Sequence, residues 1–232
     1  MSVAYAERRD TLHRYFDRTA ADAWARLTSD APVGRIRATV RAGRDSMRQT
    51  LLDWLPPDLS GLRILDAGCG TGAFSIEAAR RGAEMVALDL SDTLLRTARE
   101  RLPAALAGRV RFETGDMRDA ARFGDFDHVV AMDSLIHYPA AEIAAVLAAF
   151  APVVRRSMLF TIAPRTPALA VMHAVGRLFP RGDRAPAIEP VAWARVASCI
   201  GAEPALSGWR AGRHAGISTG FYKSHARELV RA

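Results

Sequence analysis

The sequence predicts an α/β fold built on a parallel sheet. Three observations carry that expectation. Five short apolar runs alternate with helix-like stretches between Gly61 and Ala163. The first run, in 64-ILDAGCGTG-72, ends in an acid and opens into glycines at alternate positions. The second and third runs also close on acids. Strands separated by helices at this pitch form parallel βαβ units, with helices covering both faces of the sheet.

The strands are expected at 62-LRILDAG-68, 84-EMVALDL-90, 109-RVRFETG-115, 126-FDHVVAM-132 and 157-SMLFTIA-163. Helical patterns fall between them at about 73–81, 91–106 and 140–151, and Ser91 has the chemistry to cap the second. Two further helical patterns precede the sheet, at roughly 3–27 and 33–55, with a Ser-Asp-Ala-Pro break between them. After the fifth strand, residues 164–190 carry five prolines around an apolar centre that includes Met172. A connection that long in a compact domain is commonly a lid or a binding element. Pro190 then opens a helix to about Cys199, and residues 203–224 could supply a final hairpin. This divides the chain into an N-terminal helical arm or cap (1–56) and an α/β domain (57–232) with a lid-like insertion at 164–189.

Composition narrows the setting. Half of the 232 residues are apolar and a quarter are charged, which is globular composition. Cys69 and Cys199 lie far apart, so neither a disulfide framework nor a cysteine zinc site is indicated and a reducing, cytoplasmic setting is expected. No signal peptide or membrane-spanning run is evident. Of 32 basic residues only Lys223 is a lysine, and the net charge is +7. Guanidinium pairs bidentately with carboxylate and phosphate, so the balance suits an anionic partner without naming one.

In 64-ILDAGCGTG-72, glycines let the backbone approach a ligand closely, and the helix that follows presents free N–H groups. Dinucleotide-binding sheets use a related loop, but here no Arg or Lys stands beside the glycines to meet a pyrophosphate. Asp66 could instead attract a cationic ligand. Asp89, in VALDLS, is placed to accept both hydroxyls of a ribose, and Gly115-Asp116-Met117 suits an adenine amino group. As a set these motifs resemble the class I S-adenosylmethionine-dependent methyltransferases over about residues 61–163. The resemblance implies a Rossmann-like, mostly parallel seven-stranded sheet in the order 3-2-1-4-5-7-6, with strand 7 antiparallel. It implies S-adenosylmethionine as co-substrate, held by Asp66, Gly68, Cys69, Gly70 and Gly72 at the methionine end. Asp89 and Leu90 would hold the ribose, Asp116 and Met117 the adenine, and the Met132 backbone the methionine side.

In that superfamily the segment after the fourth strand faces the transferable methyl. Here it is 132-MDSLIHYP-139, whose polar groups are His137 and Tyr138. A histidine there could be a general base, a donor that orients the acceptor, an axial metal ligand, or simply packed beneath the lid. Ahead of the domain, Val33, Ile36, Val40, Met47 and Leu51 form one helical face. Arg37, Arg41, Arg44 and Arg48 run beside it at i, i+4, i+7 and i+11. Such a stripe could snorkel along the edge of a buried face, meet carboxylates, or touch an anionic membrane.

The segment 15-YFDRTAADAWARLTSDAPVGRIRATVRAGRDSMRQTLLDWL-55, with 135-LIHYP-139 and 216-GISTGFYKS-224, resembles magnesium-protoporphyrin IX O-methyltransferases of (bacterio)chlorophyll biosynthesis. The resemblance implies methylation of a propionate carboxylate of magnesium protoporphyrin IX. It makes His137 and Tyr15 the candidate catalytic groups, with Arg37, Arg41, Tyr138 and Met172 on the substrate. Magnesium then belongs to the substrate, and no protein-bound metal is expected. Magnesium chelatase is a partner implied by the pathway, and peripheral contact with the photosynthetic membrane is compatible with a poorly soluble porphyrin. Alternatives are a quinone- or phenol-type O-methyltransferase, an RNA methyltransferase, and a carrier that binds both ligands without turnover. The chain shows no appended RNA-binding module, so no nucleic acid is expected.

Overall fold

The computed structural model describes residues 3–19, 28, 32, 34–165 and 188–232. Helix α1 (Val3–Arg14) runs into a wide π-helical turn, Tyr15–Thr19, and α2 spans Arg35–Asp53. The α/β part then runs β1 (Arg63–Ala67), α3 (Ala73–Arg80), β2 (Glu84–Asp89), α4 (Asp92–Arg101), β3 (Val110–Thr114), β4 (Phe126–Ala131), α5 (Ala140–Phe150) and β5 (Val154–Ile162). Helix α6 (Trp193–Ala202) and a hairpin of β6 (Trp209–Thr219) and β7 (Tyr222–Arg231) complete it. The seven strands lie in the order β3-β2-β1-β4-β5-β7-β6, parallel except for β7, as the resemblance to the class I methyltransferases implied.

Departures from the expected boundaries have local causes. The helix expected to reach residue 106 stops at Arg101, because Leu102 is extended ahead of Pro103, as a residue before proline prefers. Ser91 caps α4, its hydroxyl accepting from the Leu94 amide at 3.2 Å. The first helical pattern, expected to run to residue 27, leaves α-geometry after Arg14, and residues 20–27 lie outside the described ones. Most of the 164–189 insertion, Met172 included, also lies outside them.

Two buried clusters flank the sheet. On one face Tyr5 and Leu12 of α1 join Leu135, Tyr138 and Phe160. On the other, Met47, Leu51 and Leu52 of α2 pack with Phe74 and Tyr222. Each fully buried side chain of this size contributes about 1.5–3 kcal/mol, so the N-terminal helices are part of the core. A Cβ at Gly43 would come within 2.7 Å of the Tyr222 ring, so only glycine lets α2 lie this close to β7. The predicted apolar face is buried only in its second half. Met47 and Leu51 are fully covered, whereas Ile36 is 58% exposed. The hairpin tip meets α2 at Thr39, beside Gly220, and the first turn of the helix runs past it.

One buried polar pair sets a pH dependence. His128 of β4 and Ser157 of β5 share a 2.7 Å hydrogen bond inside the sheet, and burial pushes the imidazole pKa down to about 4. The folded-state value lies below the ordinary one, so this stability is present above pH ~6.5 and lost as pH falls toward 4. The effect is on the order of 3 kcal/mol at its limit. Thermal unfolding followed from pH 7.5 to 4.5 should show a falling Tm that His128→Gln flattens. An unchanged slope in the variant would assign the acid sensitivity elsewhere.

Candidate active site

The site lies over the C-terminal ends of β1, β2 and β4, where an open parallel sheet binds ligands. The glycine loop is fastened there by its own backbone. The Gly68 and Cys69 amides both donate to the Leu88 carbonyl, at 2.8 and 3.0 Å. Gly68 has φ of 84°, and a Cβ on it would stand 2.4 Å from that of Ser134. Ser134 in turn donates its hydroxyl to the Ala67 carbonyl at 2.8 Å. The loop after β4 is thereby held directly against the glycine loop.

Three acids shape the near end. Asp66 is buried and accepts from Ser75 Oγ at 2.6 Å, and burial pushes its pKa up to about 7. Asp89 bridges two elements, accepting from the Gly70 amide at 2.8 Å and the Ser91 amide at 2.9 Å. Burial raises its pKa as well. Asp116 accepts from the Tyr5 hydroxyl at 2.7 Å and the Arg118 amide at 2.9 Å. Burial also pushes the Cys69 thiol well up, which leaves it a neutral wall group.

A cavity of about 240 Å³ is lined by Asp66, Asp89 and Cys69 of this group, but not by Asp116. Of the sequence-predicted residues, Asp66, Gly68, Cys69, Gly70, Asp89 and Leu90 line it at the glycine-loop end. Met117, Met132, His137, Tyr138 and Arg41 line it elsewhere. Gly72 sits behind the wall, where it begins α3 with φ of 76° against Ala98 and Phe112. Asp116 also stands behind the wall, turned toward α1, and Tyr15 packs edge-on against Phe16, which does reach the cavity. Arg37 is exposed on the outer turns of α2 and does not line the cavity.

The far end holds His137, buried and edge-on to Phe16 at 6.0 Å between ring centroids. Its carbonyl accepts from Arg8 Nη1 at 3.0 Å, which ties α1 to the loop after β4. The root of the insertion reaches the same loop, the Glu189 amide donating to the Ile136 carbonyl at 2.8 Å. Tyr138 stacks on Tyr5 at 5.3 Å.

Asp17, Thr28 and Asp133 went unread in the sequence, and Arg44 was read only as one of the arginine stripe. Asp17, the acid of YFD, accepts from Ser91 Oγ at 3.0 Å and the Thr93 amide at 3.2 Å, and so docks the arm on the start of α4. Thr28 bonds Thr71 at 2.8 Å. Arg44 and Asp133, both lining the cavity, pair at 2.6 Å. For Asp133 the available signal was an acid following an apolar strand, and for Arg44 its place in the stripe. The partnership needs the fold. Among the described residues no group of three or more His, Cys, Asp or Glu side chains comes together as a metal site. No helix among them is long and apolar enough to cross a membrane.

Residues 131–231 match the family described as magnesium-protoporphyrin IX methyltransferase C-terminus, and residues 64–157 match a general methyltransferase domain. The chain is 50% identical over 191 residues to the magnesium-protoporphyrin O-methyltransferase of Rhodobacter capsulatus, covering 82% of this chain and 85% of the relative. It superposes on the crystal structure of magnesium protoporphyrin IX methyltransferase from Synechocystis with bound SAH at a TM-score of 0.84 and 30% identity. That match covers 97% of this chain and 100% of the other. With the SAM-bound form the TM-score is 0.80 at 27% identity, covering 97% of each chain.

Proposed function

Because the chain belongs to the magnesium-protoporphyrin O-methyltransferase family, we propose that it transfers the methyl of S-adenosylmethionine to a propionate carboxylate of magnesium protoporphyrin IX. The products are the monomethyl ester and S-adenosylhomocysteine. The observation that carries this reading is that one cavity is lined both by Asp89 and the glycine loop and by His137 and arginines of α2. In the reaction a carboxylate oxygen attacks the methyl carbon in line as the C–S bond breaks. A propionate is ionised near neutral pH, with a pKa of about 4–5 like that of Glu, so no proton has to move. Sulfonium and carboxylate neutralise one another, and the chain's part is to exclude water and align the two.

In this reading Asp89 and Leu90 hold the ribose, and Met117 flanks the adenine with Asp116 behind it. The backbone from Gly68 to Gly72, with Asp66 and Met132, holds the methionine end. His137 orients the acceptor, Tyr15 acts on it through Phe16, and Tyr138 and Arg41 bound its site, while Arg37 on the exposed turns of α2 takes no part in it. Residues 1–56 act as the cap and 164–189 as the lid. The reading also takes in a cytoplasmic protein touching an anionic membrane. Ile36 and Phe221, 58% and 56% exposed, support that contact, with Arg35 and Arg37 exposed beside Ile36. Magnesium chelatase, as the source of the metallated porphyrin, is a partner implied by the substrate alone.

The test is turnover of the purified chain with S-adenosylmethionine and magnesium protoporphyrin IX, the ester being followed by mass spectrometry. Metal-free porphyrin, a phenolic quinone precursor and an RNA pool run alongside. One methyl added to the magnesium porphyrin is expected. Cofactor binding with turnover of the phenol alone would replace the carboxyl acceptor by a hydroxyl.

A further inference from the structure

Asp133 is the one non-glycine residue among those described with a positive φ, 55°, a conformation rarely adopted by residues with a Cβ. It follows Met132 directly and begins the loop to His137. Its amide donates to Thr161 Oγ1 at 2.7 Å. Its carboxylate accepts from the Tyr222 hydroxyl at 2.9 Å, from Thr161 at 3.3 Å and from Arg44 Nη1 at 2.6 Å. The acid thus clamps β5, β7 and α2 at the mouth of the loop. A carboxylate is nevertheless an awkward group to place there, because it lines the same cavity as His137, where an anionic acceptor must arrive. Of the α2 arginines that line the cavity, Arg48 is engaged by Asp45 at 2.9 Å and Arg44 by Asp133.

We propose that Arg44 is the residue that makes this site selective for anionic acceptors, by cancelling the charge of Asp133 at the acceptor end of the cavity. The inference rests on the carboxyl-methyltransferase reading and goes beyond it. Arg44 acts through Asp133 and is a positioning residue. Like charges brought together in a desolvated site repel strongly, so an uncancelled Asp133 rejects a carboxylate while tolerating a neutral group. The charge balance also holds across the reaction. Sulfonium and carboxylate disappear together into thioether and ester, and the Asp133–Arg44 pair remains neutral before and after.

The experiment is a double-mutant cycle of Arg44→Met, Asp133→Asn and both together, with Arg44→Lys as the conservative variant. It measures kcat and KM with magnesium protoporphyrin IX, and the affinities for that diacid and for its neutral dimethyl ester by fluorescence quenching. Arg44→Met should weaken the diacid about 30-fold or more while changing the ester by less than about threefold. Removing the Asp133 charge as well should restore at least about tenfold of that loss, and Arg44→Lys should retain most of the affinity. A merely structural arginine predicts otherwise. Diacid and ester would fall together, the double variant would be no better than Arg44→Met, and Arg44→Lys would be equally impaired. Any of these overturns the proposal. A wild type that binds neither porphyrin fails differently, since it discards the porphyrin acceptor itself and this inference with it.

Discussion

Replacing Asp89 by Ala is expected to weaken S-adenosylmethionine binding about a hundredfold or more, measured by titration calorimetry. The carboxylate has two tasks that fall together. In the proposed reading it accepts from the ribose diol, and charged hydrogen bonds of that kind are worth about 1.5–3 kcal/mol each. It also holds the Gly70 and Ser91 amides at 2.8 and 2.9 Å, which ties the glycine loop to the start of α4. Ala leaves both amides without that acceptor, so the loop loses its shape as well as its ligand. Asp89→Asn separates the tasks, because its one remaining carbonyl oxygen can keep a single tether while the charge is lost. It should bind the cofactor more weakly than wild type and better than Ala. Cofactor affinity within threefold of wild type in Asp89→Ala would remove Asp89 from the nucleoside site.

The parts of this protein that sequence reveals are those dictated by short-range physics. The five parallel strands and the cofactor loop follow from local patterns: buried apolar runs, glycines where backbone must bend sharply, acids at strand ends. The order of the strands came only with the resemblance to a known superfamily. Ser91 was legible as a cap because its bond to Leu94 spans three residues. The misreadings share another origin. Ile36 continues the helical period of Met47 and Leu51 yet is exposed, because burial depends on where the β6–β7 hairpin ends and periodicity does not encode that. Arg37 and Arg44 are equivalent in the stripe, but one faces solvent and the other reaches Asp133, 89 residues further along the chain. Tyr5 and Asp116, 111 residues apart, have no sequence signal that joins them. Long-range polar pairs of this kind decide which members of a legible motif face the cavity and which hold it in place.

His137 separates positioning from base catalysis by its pH profile. Because the acceptor propionate is already ionised, wild-type kcat is expected to be level from about pH 6 upward. His137→Ala should lower kcat about a hundredfold through lost alignment, while KM for S-adenosylmethionine changes less than about twofold. His137→Asn, which still offers a hydrogen-bond donor, should recover part of the loss with the same level profile. A base would behave otherwise. Wild-type kcat would rise through a limb near the ordinary histidine pKa of about 6.5, and both variants would abolish that limb. The surroundings of His137 favour alignment. Its ring meets Phe16 edge-on and its carbonyl is held by Arg8, so the side chain is fixed from α1 and from the turn that carries Tyr15. Tyr15 itself packs on Phe16 and does not reach the cavity wall. Tyr15→Phe, which preserves that packing, should therefore cost less than His137→Ala. If it costs as much, the hydroxyl of Tyr15 reaches the acceptor during turnover, and the Tyr15–Thr19 turn must shift toward the cavity when the acceptor binds.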